Sequence, residues 1–512
     1  MDVINVSNPV TSACLYKMPS ASEQEITSAF VHARQAAEKV RQTSIKERQA
    51  EIRRLIDYLM ANRERLLDRI VEETGRCRTD AMISDLFQLV EDCQWLVDNA
   101  HKILGDQKVS TPITLLGKKS RIYHEARGVV LVISPWNLPL AIAMTAAMFA
   151  FAAGNAVIIK PSEQTPMADV FKEIVSLSPL LSEALTVVQG GGETAQQLIA
   201  LRPDMIAFTG SGRTGKKILT QAAPMVIPVV MELGAKDAMI VFDDADMDRA
   251  VAAATWGNMH NSGQSCTATE RLFVNDSIYD TFVERLKKEL EASTLGLDGN
   301  ADVGAITTDF QADIIDRQLA DAKEKGARIL CGGQRLESGS RFFQPTLVAD
   351  VTDDMLIARE ETFGPVVSVY RFTSEEEVIA RHNACDFGLS TSLWTQDTMR
   401  ADRVTRALET GCVNVNNVML TEGNVHLPFG GVKYSGYGRM KGAEGLLGMT
   451  RSKAVLIDPT RGKREPNWYP YSKEKLALMD RLLATVVRPA GLRKLVSLAG
   501  VGLAIEKLVR RK

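Results

Sequence analysis

The sequence predicts an α/β protein built on a doubly wound parallel sheet. Three observations carry this. Residues 129–133 (Val-Val-Leu-Val-Ile) and 156–160 (Ala-Val-Ile-Ile-Lys) are nearly uninterrupted apolar runs, as expected of strands buried on both faces. The segment between them, 141–153, is rich in Ala and Met and reads as a helix. The alternation then repeats, with a helix from Met167, a strand at 185–188, a helix, a strand at 205–208 and another helix.

In chain order, residues 2–19 are strand-like and turn-rich. From Ser22 the pattern turns helical. Ile45, Arg48, Ile52, Leu55, Ile56 and Leu59 follow an i, i+3, i+4, i+7 spacing, and Leu86, Leu89, Val90, Cys93 and Leu96 mark a second such stretch. The charges of this opening read as a solvated face. Residues 106–126 are β-like, with Val109, Ile113, Leu115, Ile122 and Tyr123 set among Thr, Lys and Arg. The first buried strand ends at Ser134-Pro135-Trp136-Asn137, the second at Lys160-Pro161-Ser162-Glu163. Ligands of doubly wound sheets bind at the carboxyl ends of the strands, where Asn137, Lys160, Gly190 and Gly210 lie. A strand at 227–231 leads into Glu232-Leu233-Gly234. A second strand–helix series follows, with strands at 272–274, 327–331, 343–348, 366–370 and 413–416 and helices at 277–290 and 314–325. A Gly-rich loop spans 427–433.

At 512 residues the chain suggests two or three domains. A net charge of -2 gives no global attraction to nucleic acid. Seven scattered cysteines without a CxxC pair argue against a disulfide framework and a metal site, and for a reducing, cytoplasmic setting. The first thirty residues show no signal-peptide pattern, and no stretch reaches the ~20 apolar residues of a membrane span.

Gly210-Ser211-Gly212-Arg213-Thr214-Gly215 matches GxGxxG between a strand and a helix. Alone, the motif also fits an ordinary strand–helix turn. Glu232, seventeen residues after Gly215, is one candidate acid for a cofactor ribose, and Glu163 beside Lys160 is the better one. A carboxylate straight after a buried strand, as at Glu232, suits proton transfer. Cys266 closes Asn261-Ser262-Gly263-Gln264-Ser265-Cys266 in a Gly/Ser-rich turn before a strand. A free cysteine is more often structural, but here a thiolate would be placed to attack a carbonyl and leave again from a thioester.

Seven blocks together resemble the aldehyde dehydrogenase superfamily, in its order and spacing, over roughly residues 7–457. They are Pro135-Trp136-Asn137, Lys160-Pro161-Ser162-Glu163, Phe208-Thr209-Gly210-Ser211, Glu232-Leu233-Gly234, Gly263-Gln264-Ser265-Cys266, Glu361-Thr362-Phe363-Gly364-Pro365 and Leu427-Pro428-Phe429-Gly430-Gly431. The resemblance implies a Rossmann-like NAD-binding domain (1–105 and 127–233), a catalytic domain (234–446) and bridging or oligomerisation segments (106–126 and 447–457). It implies Cys266 as nucleophile, Glu232 as general base, and the Asn137 side chain with the Cys266 N–H as oxyanion hole. Ser134, Pro135, Trp136, Lys160, Ser162, Glu163, Gly210, Ser211, Gly215, Leu233, Glu361 and Phe363 would hold the cofactor. Glu163 would favour NAD over NADP by repelling a 2′-phosphate. Gly212, where the family more often has Thr, alters the fit of the pyrophosphate. The expected assembly is a homodimer or homotetramer.

The activity implied is oxidation of an aldehyde to its acid. The aldehyde would be medium- or long-chain, or one of a broad aliphatic and aromatic range, with a semialdehyde as the alternative. A CoA-acylating enzyme typically lacks a carboxylate at Glu232, and a thiol esterase would not need Lys160, Glu163 and Glu361. The tail departs from the family pattern. Residues 457–512 carry 13 Lys/Arg and 5 Asp/Glu, net +8 on an otherwise acidic chain. Within it, 495–505 is uncharged and flanked by Arg493, Lys494, Lys507, Arg510, Arg511 and Lys512. Such a segment is too short to span a bilayer but suits a helix lying at its surface, and 480–512 is the expected peripheral membrane contact. The alternative is packing on the enzyme itself or on a partner subunit.

Overall fold

Two largely parallel sheets, each covered on both faces, form the body of the chain. The structure is a computed structural model and describes residues 2–115, 117–459 and 464–510. One compact unit takes in 124–452 and the residues before 106; the other takes in the described parts of 106–123 and 453–512.

In the first sheet the spatial order is Gly436–Tyr437, Val229–Leu233, Met205–Gly210, Val129–Ile133, Ala156–Lys160, Leu185–Val187. All neighbours are parallel except the antiparallel Gly436–Tyr437 pair. The period-2 alternation of side chains splits each buried strand between two cores. Val130, Val132, Val157 and Ile159 join one, while Val129, Leu131, Ala156 and Ile158 join the other. The strand order reverses between Val129–Ile133 and Met205–Gly210, which opens a crevice at their carboxyl ends.

The second sheet has seven strands, ordered Arg328–Cys331, Thr346–Ala349, Val366–Phe372, Arg271–Asn275, Ala238–Val241, Ser390–Trp394, Cys412–Val415. It also splits its side chains, with Ile240 and Phe273 on one face and Met239 and Leu272 on the other.

Three expectations are corrected. The strand read as 227–231 is Val229–Leu233, so Glu232 and Leu233 lie inside it rather than after it. The strand extends because Gly436 and Tyr437 pair against Glu232 and Met231. The charges of the opening helices are not all on a solvated face. Arg48, Glu73, Arg76, Asp80, Asp85 and Asp92 are buried, and Arg48, at a core-facing position, donates to the Ala152 carbonyl at 3.0 Å. The uncharged tail stretch is part of a longer helix, Leu492–Arg510, with Lys473–Val486 before it.

In the smaller unit these two helices pack through Leu478, Val501 and Ile505. Gln107–Val109 pairs antiparallel with Lys119–Ala126, and Thr450–Ile457 is the outer strand of the same sheet. Arg511 and Lys512 of the expected basic flank lie outside the described residues. Among the described residues no helix is long and apolar enough to cross a membrane.

Candidate active site

Cys266 sits at the end of a strained turn. Asn261 and Ser262 both have left-handed backbone (φ 53° and 56°), and Gly263 follows at φ +71°. A Cβ on Gly263 would stand 2.0 Å from the Gly364 carbonyl oxygen, so only glycine lets the two loops meet. Gln264 ties the turn down: its Oε1 accepts from the Thr307 N–H at 2.9 Å, and its Nε2 donates to the Asn261 and Ala305 carbonyls, both at 3.2 Å. The Gln264 carbonyl accepts from Asn137 Nδ2 at 2.9 Å and from Asn261 Nδ2 at 2.8 Å, which binds the Asn137 side chain to the Cys266 loop.

The buried charges of the opening helices brace this arrangement from below. Asp80 accepts from the Asn261 N–H at 2.7 Å and pairs with His260 Nδ1 at 2.8 Å. Asp85, paired with Arg76, accepts from Ala141 N–H at 2.8 Å and so caps the helix that starts just after Asn137. These residues escape a reading of apolar pattern, because only a charge at a core-facing register hints at them.

Glu232 Oε1 lies 3.3 Å from Cys266 Sγ, placed to accept the thiol proton. Its strand neighbour is Thr209, and the Ser435–Gly436 turn covers it on the other side. Burial pushes Glu232 up to about 7, and the nearby Glu422 carboxylate adds to this; Lys441 opposes it. Burial also raises Cys266 well above the ordinary thiol value, with Glu422 and Glu232 adding to the effect. Both groups therefore hold their protons more tightly than free side chains do. Glu422 itself accepts from Thr267 Oγ1 at 2.6 Å. Nothing in its Thr-Glu-Gly context signals this role.

The expected cofactor residues fall into three groups. At the strand ends, Lys160 is buried, which lowers its proton affinity against the pull of Glu163 at 3.1 Å. Ser134 Oγ is buried there with no hydrogen-bond partner among the described residues, and Ser162 Oγ accepts from the Gln164 N–H at 3.2 Å. Pro135 leads to Trp136, whose ring meets Phe363 edge-on at 5.4 Å. The second group opens the helix Gly212–Ala222. Ser211 is its N-cap, accepting from the Thr214 N–H at 3.3 Å, and its first turn has no acidic residue to repel an anion. Gly210 precedes it, and Gly215 packs so closely on Leu233 that a Cβ would stand 2.6 Å from Leu233 Cδ2. The third group is Glu361, whose Oε1 accepts from the Ala235 N–H at 2.9 Å, and Phe363, at φ +52°. Burial and the Glu270 charge push Glu361 up to about 8. A buried, unpartnered hydroxyl, a helix terminus without acid and two carboxylates suited to hydroxyl groups together fit a nicotinamide dinucleotide.

The model of the aldehyde dehydrogenase family matches residues 1–455, and the chain belongs to that family. It is an oxidoreductase that acts on an aldehyde with a nicotinamide dinucleotide. It is 37% identical over 474 residues to a 4,4'-diapolycopene aldehyde oxidase of Methylomonas sp, covering 92% of this chain and 89% of the relative. It is 32% identical to an NADP(+) succinate-semialdehyde dehydrogenase of Escherichia coli, over 89% of this chain and 94% of that one. The NAD+ complex structure of an aldehyde dehydrogenase from Bacillus cereus superposes with a TM-score of 0.84 at 33% identity, covering 90% of this chain and 94% of that one.

Proposed function

We propose that the chain oxidises a neutral aldehyde, medium- or long-chain or of a broad aliphatic and aromatic range, to its carboxylic acid through a thioester on Cys266. The observation that carries this is the 3.3 Å contact between Cys266 Sγ and Glu232 Oε1. In this reading Glu232 takes the thiol proton, and the thiolate attacks the carbonyl carbon. The Asn137 side chain and the Cys266 N–H donate to the oxyanion that forms, a contribution of about 10²–10³ in rate for one such donor. The nicotinamide, when bound, supplies the hydride acceptor that leaves Cys266 acylated. Glu232, deprotonated again, draws a proton from water as the water attacks the thioester, and the thiolate leaves. A proton affinity near neutrality suits Glu232 to both transfers. The alternative substrate is a semialdehyde, named for the Escherichia coli relative. The experiment is cofactor reduction followed in the first turnover of Cys266→Ala and Glu232→Gln.

Lys160 and Glu163 would hold the adenosine ribose, Ser211 and the helix terminus the pyrophosphate, and Glu361 the nicotinamide ribose. Trp136 and Phe363 would wall the cofactor. The carboxylate of Glu163 supports NAD over NADP. We assign 1–105 and 127–233 to the NAD-binding domain, 234–446 to the catalytic domain, and 106–126 with 447–457 to a bridging and oligomerisation element. The outer strand Thr450–Ile457 is mostly exposed, which supports pairing with a second copy in a homodimer or homotetramer.

The tail is read as a peripheral membrane contact of an otherwise cytoplasmic enzyme. On the helices Lys473–Val486 and Leu492–Arg510 and the turn between them, Leu483 (65%), Val487 (75%) and Leu492 (78%) are exposed, next to Arg488, Arg493 and Lys494. Exposed apolar side chains among cations suit the interface of an anionic bilayer.

A further inference from the structure

We propose that Glu422 is a charge filter for the substrate, rejecting aldehydes that carry their own carboxylate and admitting neutral ones. The proposal rests on the reaction at Cys266 described above. Glu422 lies on the short helix Leu420–Gly423, half-buried, and its Oε2 is fixed by the hydroxyl of Thr267, the residue that follows the nucleophile. An aldehyde bound to Cys266 therefore has a carboxylate beside it.

Lys441, the cation bonded to its backbone, does not cancel that charge. Lys441 Nζ donates to the Glu422 backbone carbonyl at 2.7 Å and pairs with Asp92 at 3.6 Å. Asp92 is buried and holds Gln88 and Thr145 as well, at 2.9 and 2.7 Å, so Lys441 is committed to a second acid. Among the described residues no Lys, Arg or His nitrogen lies within 4.0 Å of the Glu422 carboxylate. Its field does reach the reacting groups, since it raises the proton affinity of both Glu232 and Cys266. A substrate anion reaching the same pocket would feel the same repulsion, little screened because the wall is half-buried.

Apolar side chains stand exposed on the neighbouring segments. Ile83 and Phe87 stand exposed on the π-helical turn Met82–Phe87, and Trp256 and Leu420 are exposed too. Their segments meet: Ser84 hydrogen-bonds His260 at 2.6 Å, and the His260 ring lies 4.8 Å from that of Trp256. Gln88 lies against Gly423. A single π-turn inside a helix often marks a functional site. A carboxylate held beside Cys266, with apolar side chains on the segments around it, would select uncharged, apolar aldehydes.

The test compares kcat/KM for pentanal, succinate semialdehyde and the neutral methyl ester of succinate semialdehyde. The full-length enzyme, Glu422→Gln and Glu422→Lys are assayed with each. The ratio of succinate semialdehyde to its methyl ester should rise about tenfold in Glu422→Gln and further in Glu422→Lys, whatever each variant does to absolute rates. In the unaltered enzyme the same ratio should rise with ionic strength. A ratio unchanged across the charge series and with salt overturns the filter and leaves oxidation at Cys266 standing. Absence of turnover with all three aldehydes in the unaltered enzyme overturns both.

Discussion

Cys266 Sγ and Glu232 Oε1 stand 3.3 Å apart, with the thiol donating to the carboxylate. Burial, reinforced by Glu422, keeps Glu232 protonated up to near neutral pH, at about 7. Below that value Glu232 is protonated and can take a proton neither from the thiol nor from water.

The kcat–pH profile for a neutral aldehyde should therefore fall on the acid side of about 7, by about tenfold per unit once well below it. Glu422→Gln should move this limb to lower pH, because the Glu422 charge is one cause of the raised value. The linkage to stability has the opposite sign to that of a salt-bridged carboxylate. Between the ordinary carboxylate range and about 7 the native state keeps a proton that the unfolded chain has released, so raising the pH through that window costs stability. A profile flat from pH 6 to 8 would detach Glu232 from the rate-limiting step.

The Gly263→Ala change should be severe. The added methyl would meet the Gly364 carbonyl in a backbone already at φ +71°. A loss of about 2–4 kcal/mol in denaturant-measured stability is expected, with kcat down by at least tenfold. Gly212→Ala is the control, since a Cβ there meets nothing within 4 Å; it should stay within about 0.5 kcal/mol. Equal behaviour of the two variants would mean that the turn relaxes freely.

Much of the body is legible in the sequence because its apolar runs coincide with structural ends. The strands Val129–Ile133 and Ala156–Lys160 run as read, since each is buried on both faces and bounded by Gly or Asn before it and Ser or Pro after it. The interior strand Ser390–Trp394 is not legible. Its Ser390-Thr391-Ser392 run looks polar, yet Thr391 bonds His382 at 2.8 Å and Ser392 donates to the Asn417 carbonyl at 2.7 Å. Internal hydrogen bonds let hydroxyl side chains fill a core that pattern reading expects to be aliphatic. The same physics hides the bracing charges Arg76, Asp80 and Asp85. The blocks around Cys266 and Glu232 are legible as chemistry, whereas Glu422 comes to the site only through the fold.

Cofactor choice should turn on Glu163. Its carboxylate beside Lys160 would accept from ribose hydroxyls and repel a 2′-phosphate. Glu163→Gln should raise kcat/KM for NADP relative to NAD by about tenfold, the equivalent of about 1.4 kcal/mol. A lower KM for NADP than for NAD at equal kcat in the unaltered enzyme would reverse the assignment.

Removal of the tail should separate membrane binding from catalysis. The full chain should co-sediment with anionic phosphatidylserine vesicles and lose that binding in high salt, while a chain ending at Asp458 should stay in the supernatant. Equal sedimentation of the two, or failure of the shortened chain to assemble, would make the helices Lys473–Val486 and Leu492–Arg510 a packing element.

The most direct measurement of the central claim is rapid mixing of Glu232→Gln with cofactor and a neutral aldehyde, followed by acid quench. If Glu232 activates the water that hydrolyses the Cys266 thioester, about one equivalent of reduced cofactor per site should appear in a burst, formed more slowly than in the unaltered enzyme because the amide cannot take the thiol proton. Turnover should then stall, with the acyl group recovered on the peptide containing Cys266. Cys266→Ala under the same conditions should give no burst while still binding cofactor. Sustained turnover of Glu232→Gln at the unaltered rate, or a burst in Cys266→Ala, would contradict the account.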